Sequence, residues 1–213
     1  METGLILIFW YGILHAFGPD HLTAIADFSI GKRMRRTMLI TLAFAVGHGI
    51  MLFAFAKLLE RFAIPESVTA YGDLISSSVI IGIGLYLLYM VWADKIHLKS
   101  HMHNGSEHVH IWFGKEHDHG GTGVDTASAF SIGALMGIGG VRGMLVTLGM
   151  LEGQSVDATM VLAFVFGVTL VFGAFGMVIL AINKNILTTQ RNVRRVFAAA
   201  GTVSVFVGAN MLL

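Results

Sequence analysis

Two histidines and an aspartate interrupt the first apolar stretch of the chain. Residues 12–25 read G-I-L-H-A-F-G-P-D-H-L-T-A-I, with His15, Asp20 and His21 inside. An ionisable group at bilayer depth costs roughly 2.5–3.5 kcal/mol on insertion scales, so such a group requires a compensating partner. These three cannot share a point on a regular helix, because at about 100° per residue they project in three directions. Gly18 and Pro19 lie between them. Proline removes a backbone donor and glycine permits unusual dihedrals. The first helix is therefore predicted to break at Gly18–Pro19 and to turn His15 and the Asp20–His21 pair toward one point.

Composition places that break in a membrane. Of 213 residues, 55% are hydrophobic and only 13% charged, whereas soluble domains carry about 25% charged residues. A span needs about 20 mostly apolar residues, and six stretches fit: 4–25, 37–59, 70–92, 126–150, 158–182 and 195–213. The expected fold is an all-α integral membrane protein of six transmembrane helices. Residues 1–14 lack a basic leader region and read as the start of a retained span. The first, third and fifth links and their edges hold Lys32, Arg33, Arg35, Arg36, Lys95, Lys99, Lys115, Lys184, Arg191, Arg194 and Arg195. By the positive-inside rule these links face the cytoplasm and both termini face out. The expected location is a prokaryotic inner (cytoplasmic) membrane. A net charge of +1 implies no nucleic-acid partner. With no cysteine in the chain, disulfides and thiolate metal sites are excluded, leaving His, Asp, Glu and Met as candidate ligands.

The second and fifth spans align at an offset of 120, with Leu42/Leu162, Ala43/Ala163, Phe44/Phe164, Gly47/Gly167, Ala54/Ala174 and Phe55/Phe175 identical. The first and fourth align at 121, where Gly12, Leu14 and Gly18 match Gly133, Leu135 and Gly139. The third and sixth match around Gly84 and Gly208. This predicts a 3+3 inverted repeat: residues 1–92 and 126–213 as the halves, joined by a polar segment, 93–125. Transporters built this way bind their substrates near the midplane, often at interrupted helices. Gly139 and Gly140 mark the matching candidate break in the fourth span.

Imidazole nitrogen and carboxylate oxygen are ligands for divalent transition metals. His48, between Gly47 and Gly49 in the second span, supplies a fourth candidate beside His15, Asp20 and His21. The joining segment holds seven of the ten histidines, His97, His101, His103, His108, His110, His117 and His119. Such a tract binds Ni, Co, Cu or Zn, and its glycines and mixed charges predict a mobile loop. Arg142 occupies the repeat position of His21. Four readings are open for it: a gate, a counter-charge for Asp20, the mark of an anion path, or a side chain that snorkels toward a surface. No ATP-binding loop of the G-x4-G-K-[ST] type is present, so transport would draw on an ion gradient or the membrane potential. Protons are one candidate coupling ion. No H-E-x-x-H motif or separate general base points to an enzyme, and no catalytic cofactor is expected. Two other readings stay open: an exporter or channel for another solute, and an accessory protein that delivers metal to a metalloenzyme.

The H-A-F-G-P-D-H run resembles the H-x4-D-H signature of the nickel/cobalt permease family, and V-G-H-G-I resembles that family's Gly-His motif. The six-span layout, the His-rich link and the A-T-M-V-L-A-F-V-F-G start of span five are similar to NicO-type efflux and UreH-like proteins of the LysE-like superfamily. The resemblance implies a Ni²⁺ or Co²⁺ transporter with metal-selective positions at His15, Asp20, His21 and His48. Uptake permeases of that family have eight spans, and the efflux group carries a Pro-Cys-Pro element where this chain reads G-G-V-R-G. The resemblance therefore sets no direction of transport.

Overall fold

Gly18 and Pro19 divide the first apolar stretch into two helices, α1 (Glu2–Ala16) and α2 (Pro19–Ser29), bent by 63°. The Gly18 N–H closes the last turn of α1 on the His15 carbonyl at 2.9 Å. Pro19 starts α2, where its missing N–H leaves no helical bond unmade. The computed structural model describes residues 2–62, 66–103, 106–113, 122–139 and 157–212. After α2 come α3 (Met34–Arg61), α4 (Glu66–Trp92), an antiparallel hairpin of β1 (Ile96–His103) and β2 (Ser106–Phe113), α5 (Thr122–Gly137), α6 (Ala158–Asn185) and α7 (Gln190–Asn210). Asp157 caps α6. The Thr159 hydroxyl and the Met160 N–H bond its carboxylate and hold it below the usual carboxylate range.

Among the described residues, three segments are long and apolar enough to cross a membrane: Met34–Phe55, Tyr71–Trp92 and Ala158–Asn185. The bent α1–α2 pair makes a fourth when taken as one span. Large apolar side chains such as Leu14, Phe17, Leu162, Phe166 and Phe206 are exposed, consistent with an integral membrane protein. Six spans were expected, and the described residues match them only in part. The described α5 has 16 residues, and the rest of that expected span lies outside the described residues. α7 opens with Q-R-N-V-R-R, whose three arginines shorten its apolar run.

α1 packs chiefly on α6, α3 on α5 and α6, and α4 on α7. Small residues let these backbones touch. A Cβ added at Gly12 would lie 2.5 Å from the Phe164 carbonyl oxygen, and one at Gly167 would lie 2.5 Å from that of Phe9. Added at Gly47 or Gly133, it would collide with the carbonyl of Phe130 or Phe44. One at Gly84 would lie 2.7 Å from the Gly201 carbonyl oxygen, and one at Gly208 would lie 2.9 Å from that of Ser77. The core between the helices is built on Ile8, Ile25, Phe44, Phe164 and Phe172.

The first, third and fifth links meet at one end of the bundle. Lys32 pairs with Asp125 at 2.7 Å, and the Asn183 amide donates to the Ser29 and Lys32 carbonyls and accepts from the Gly31 N–H. Here the structure departs from the expected mobile loop. Residues 96–103 and 106–113 form a hairpin in which His101 pairs with His108 and Lys99 with His110. Strand residues alternate between faces, and Ile96, Leu98 and Ile111 share the face that packs on the helices. Gln190 accepts from the Leu98 N–H and donates to the Ile96 carbonyl, and Arg194 pairs with Asp94 at 2.9 Å. The ordering force is this apolar alternation.

The glycine contacts predict a ranking of substitutions. Gly47→Ala and Gly133→Ala are expected to cost about 1–3 kcal/mol through overpacking. Among the described residues nothing lies within 4 Å of a Cβ added at Gly82 or Gly173, so alanine there should be neutral or stabilising by up to about 1 kcal/mol. Thermal unfolding of the detergent-purified protein checks the order.

Candidate metal centre

α1, α2 and α3 each deliver one imidazole to the same place. His15 ends α1, His21 sits in the first turn of α2, and His48 lies mid-way along α3. One ring nitrogen from each falls within 4.8 Å of the others. The Nε2 atoms of His15 and His48 are 2.9 Å apart. Nitrogens bound at about 2.0–2.1 Å to one metal ion stand about 2.9–3.4 Å from each other, so this pair already has a ligand spacing. The 63° bend makes the convergence possible, since it turns His21 back toward His15.

Two of the three rings are held from behind. Asp20 Oδ1 lies 2.7 Å from His21 Nδ1 and accepts its N–H. That leaves His21 Nε2 with a free lone pair, and this atom is buried with no hydrogen-bond partner. His48 Nδ1 donates to the Gly133 carbonyl at 3.3 Å, leaving its Nε2 toward His15. Hydrogen bonds of this kind fix the tautomer and orientation of metal-binding imidazoles. Asp20, expected among the ligands, thus stands against the far side of His21 and adds negative charge beside the cluster.

The surroundings are dry on one side and open on another. His21 is 3% exposed and His48 fully buried. The Phe44, Phe164 and Phe172 rings lie 5.6–6.3 Å from the imidazole rings. In such surroundings electrostatic interactions are stronger than in water. On the open side a cavity of about 140 Å³ is lined by His15, Asp20, His21, Asp73, Ser76 and Gly139. A Cβ at Gly139 would lie 2.6 Å from Ser76 Oγ. The site therefore offers three imidazole nitrogens, two nearby carboxylates and a small polar chamber, a donor set suited to a divalent transition metal.

Among the expected residues, His15, Asp20, His21 and His48 come together, with Gly18 and Pro19 forming the break. Gly139 lies in the turn after α5 and walls the cavity. Gly140, Arg142, His117 and His119 lie outside the described residues. The hairpin histidines belong to the other end of α2: Ile111 packs on Gly31, ten residues and about 15 Å of helix beyond His21. Asp73, Ser76 and the Gly133 carbonyl were not singled out from the sequence. The cost rule that marks His15 applies equally to Asp73 in its apolar stretch, whereas a backbone carbonyl leaves no sequence signal. No protein-family model, no curated protein and no solved structure matches the chain.

If the cluster binds metal, Asp20→Asn is expected to weaken Ni²⁺ affinity about 10–100-fold, as loss of a partner behind a ligand typically does. Calorimetric titration of a variant lacking the hairpin histidines checks this. Unchanged affinity would detach Asp20 from the site.

Proposed function

We propose that this protein is a membrane transporter of a divalent transition-metal cation, most consistent with Ni²⁺ or Co²⁺, of the nickel/cobalt transporter type, and not an enzyme. The observation that carries the reading is the convergence of three buried imidazoles at a broken helix, beside a chamber with two carboxylates. Three histidines with no cation to hold are a costly thing to bury at bilayer depth. A substrate that binds there and leaves gives them a purpose, and the cavity gives it a way in.

In this proposal α1–α2, α3 and α4 form one half, and the region from α5 onward forms the other in inverted orientation. The glycine contacts support it. At offsets of 120–121, the Gly12–Phe164 contact maps onto Gly133–Phe44, and Gly47–Phe130 maps onto Gly167–Phe9. At an offset of 124, Gly84–Gly201 maps onto Gly208–Ser77. Such paired contacts are what a two-fold related architecture produces, and the related Phe44 and Phe164 flank the histidine cluster. The basic links gathered at one end support a cytoplasmic-membrane orientation with that end inward. The hairpin histidines would then meet metal, including Zn²⁺ or Cu²⁺, on the inner side. An inside-negative potential favours dication uptake by roughly 4.6 kcal/mol per 100 mV, and export would need coupling. Arg142 is assigned no role here.

The test is Ni²⁺ and Co²⁺ flux into proteoliposomes with a trapped indicator, using protein without the hairpin histidines. Flux is expected, and at least a tenfold loss in His21→Ala or His48→Ala. Equal flux in the variants, or none in any protein, refutes the reading.

A further inference from the structure

A second ionisable group is buried in α2, apart from the histidine cluster. Asp27 is 8% exposed. It lies seven residues after Asp20, which is two turns, about 10 Å along the axis, and within about 20° of the same helix face. The helices packed on α2 are α3 to α7. Among their described residues only Ser204 of α7 presents a polar partner to Asp27, and no cation pairs with it. Its Oδ1 is buried and unpartnered.

The Ser204 hydroxyl lies 2.7 Å from Asp27 Oδ2 and 2.9 Å from the Ala200 carbonyl oxygen. It has one proton and cannot donate to both at once. Two arrangements are open to the pair. In one, an ionised Asp27 accepts the Ser204 proton. In the other, Ser204 turns its proton to Ala200, and a protonated Asp27 donates to Ser204 Oγ. The Asp27–Ser204 hydrogen bond thus survives a change of protonation by reversing its direction, with the Ser204–Ala200 bond made only in the protonated form.

We infer that Asp27 and Ser204 form a proton-exchange site that couples proton movement to metal occupancy of the histidine cluster, an inference that rests on the proposed transport reading. When a dication arrives at the histidine cluster, near the start of the same helix, its field favours the carboxylate. The O–H bond of the Asp27 carboxyl breaks, the proton leaves to water, and the Ser204 hydroxyl rotates from Ala200 to the new carboxylate. Release of the metal reverses each step. Metal and proton therefore disfavour each other, which is the linkage an exchanger needs.

The test is infrared difference spectroscopy of the full-length protein on adding NiCl₂, and separately on changing pH without metal. In the wild type, Ni²⁺ should remove a protonated-carboxyl C=O band. The band should be absent in Asp27→Asn, restored in Asp27→Glu, and shifted in frequency in Ser204→Ala, which removes only the hydrogen-bond partner. A band that survives Asp27→Asn, ignores Ser204→Ala or fails to respond to bound Ni²⁺ overturns the inference. If Ni²⁺ does not bind at all, the transport reading and the coupling fall together. The pH-driven band then decides separately whether Asp27 exchanges a proton with Ser204 as partner.

Discussion

The structure turns on the contact of His15, His21 and His48. An imidazole inside an apolar bundle needs partners for both ring nitrogens, and three imidazoles in one place need more than a straight helix offers. The break at Gly18–Pro19 answers the geometric part. It ends α1 directly after His15 and restarts the chain so that His21 faces back toward it. Asp20 and the Gly133 carbonyl answer the chemical part by accepting hydrogen bonds from the Nδ1–H groups of His21 and His48. What remains is one ring nitrogen from each histidine turned toward the others.

Close helix packing is the second condition. The Gly133 carbonyl reaches His48 because α5 lies against α3, and it lies there because Gly47 and Gly133 allow backbone contact. Gly12 and Gly167 do the same between α1 and α6. The glycines thus set the width of the space in which the histidines meet. The aromatic rings of Phe44, Phe164 and Phe172 then close it to water on the side away from the cavity.

The break and the four residues around it were legible in the sequence because each violates a strong rule. Gly-Pro interrupts a helix, and ionisable groups do not enter apolar stretches without cause. Asp27 and Asp73 violate the same rule but stand alone, without the neighbours that made the His-Asp-His run conspicuous. The position of Asp20 behind His21 was not legible, since spacing cannot separate a ligand from a residue that orients one. The hairpin was misread as a loop. Its H-x-H spacing has the period of a strand, and Asn104-Gly105 falls between the two paired segments, a common hairpin signal. Histidine content drew attention away from the alternating Ile96, Leu98, Val109 and Ile111. The ends of the spans were legible only roughly, because polar residues such as Asp27 extend α2 past its apolar part.

The central claim is that three imidazoles close on one metal ion. X-ray absorption spectroscopy of the Ni²⁺-loaded protein, without its hairpin histidines, tests it directly. The account predicts imidazole nitrogen scattering from about three ligands at roughly 2.0–2.1 Å, reduced by one ligand in His48→Ala. A shell of oxygen ligands alone, or one unchanged by His48→Ala, would contradict it.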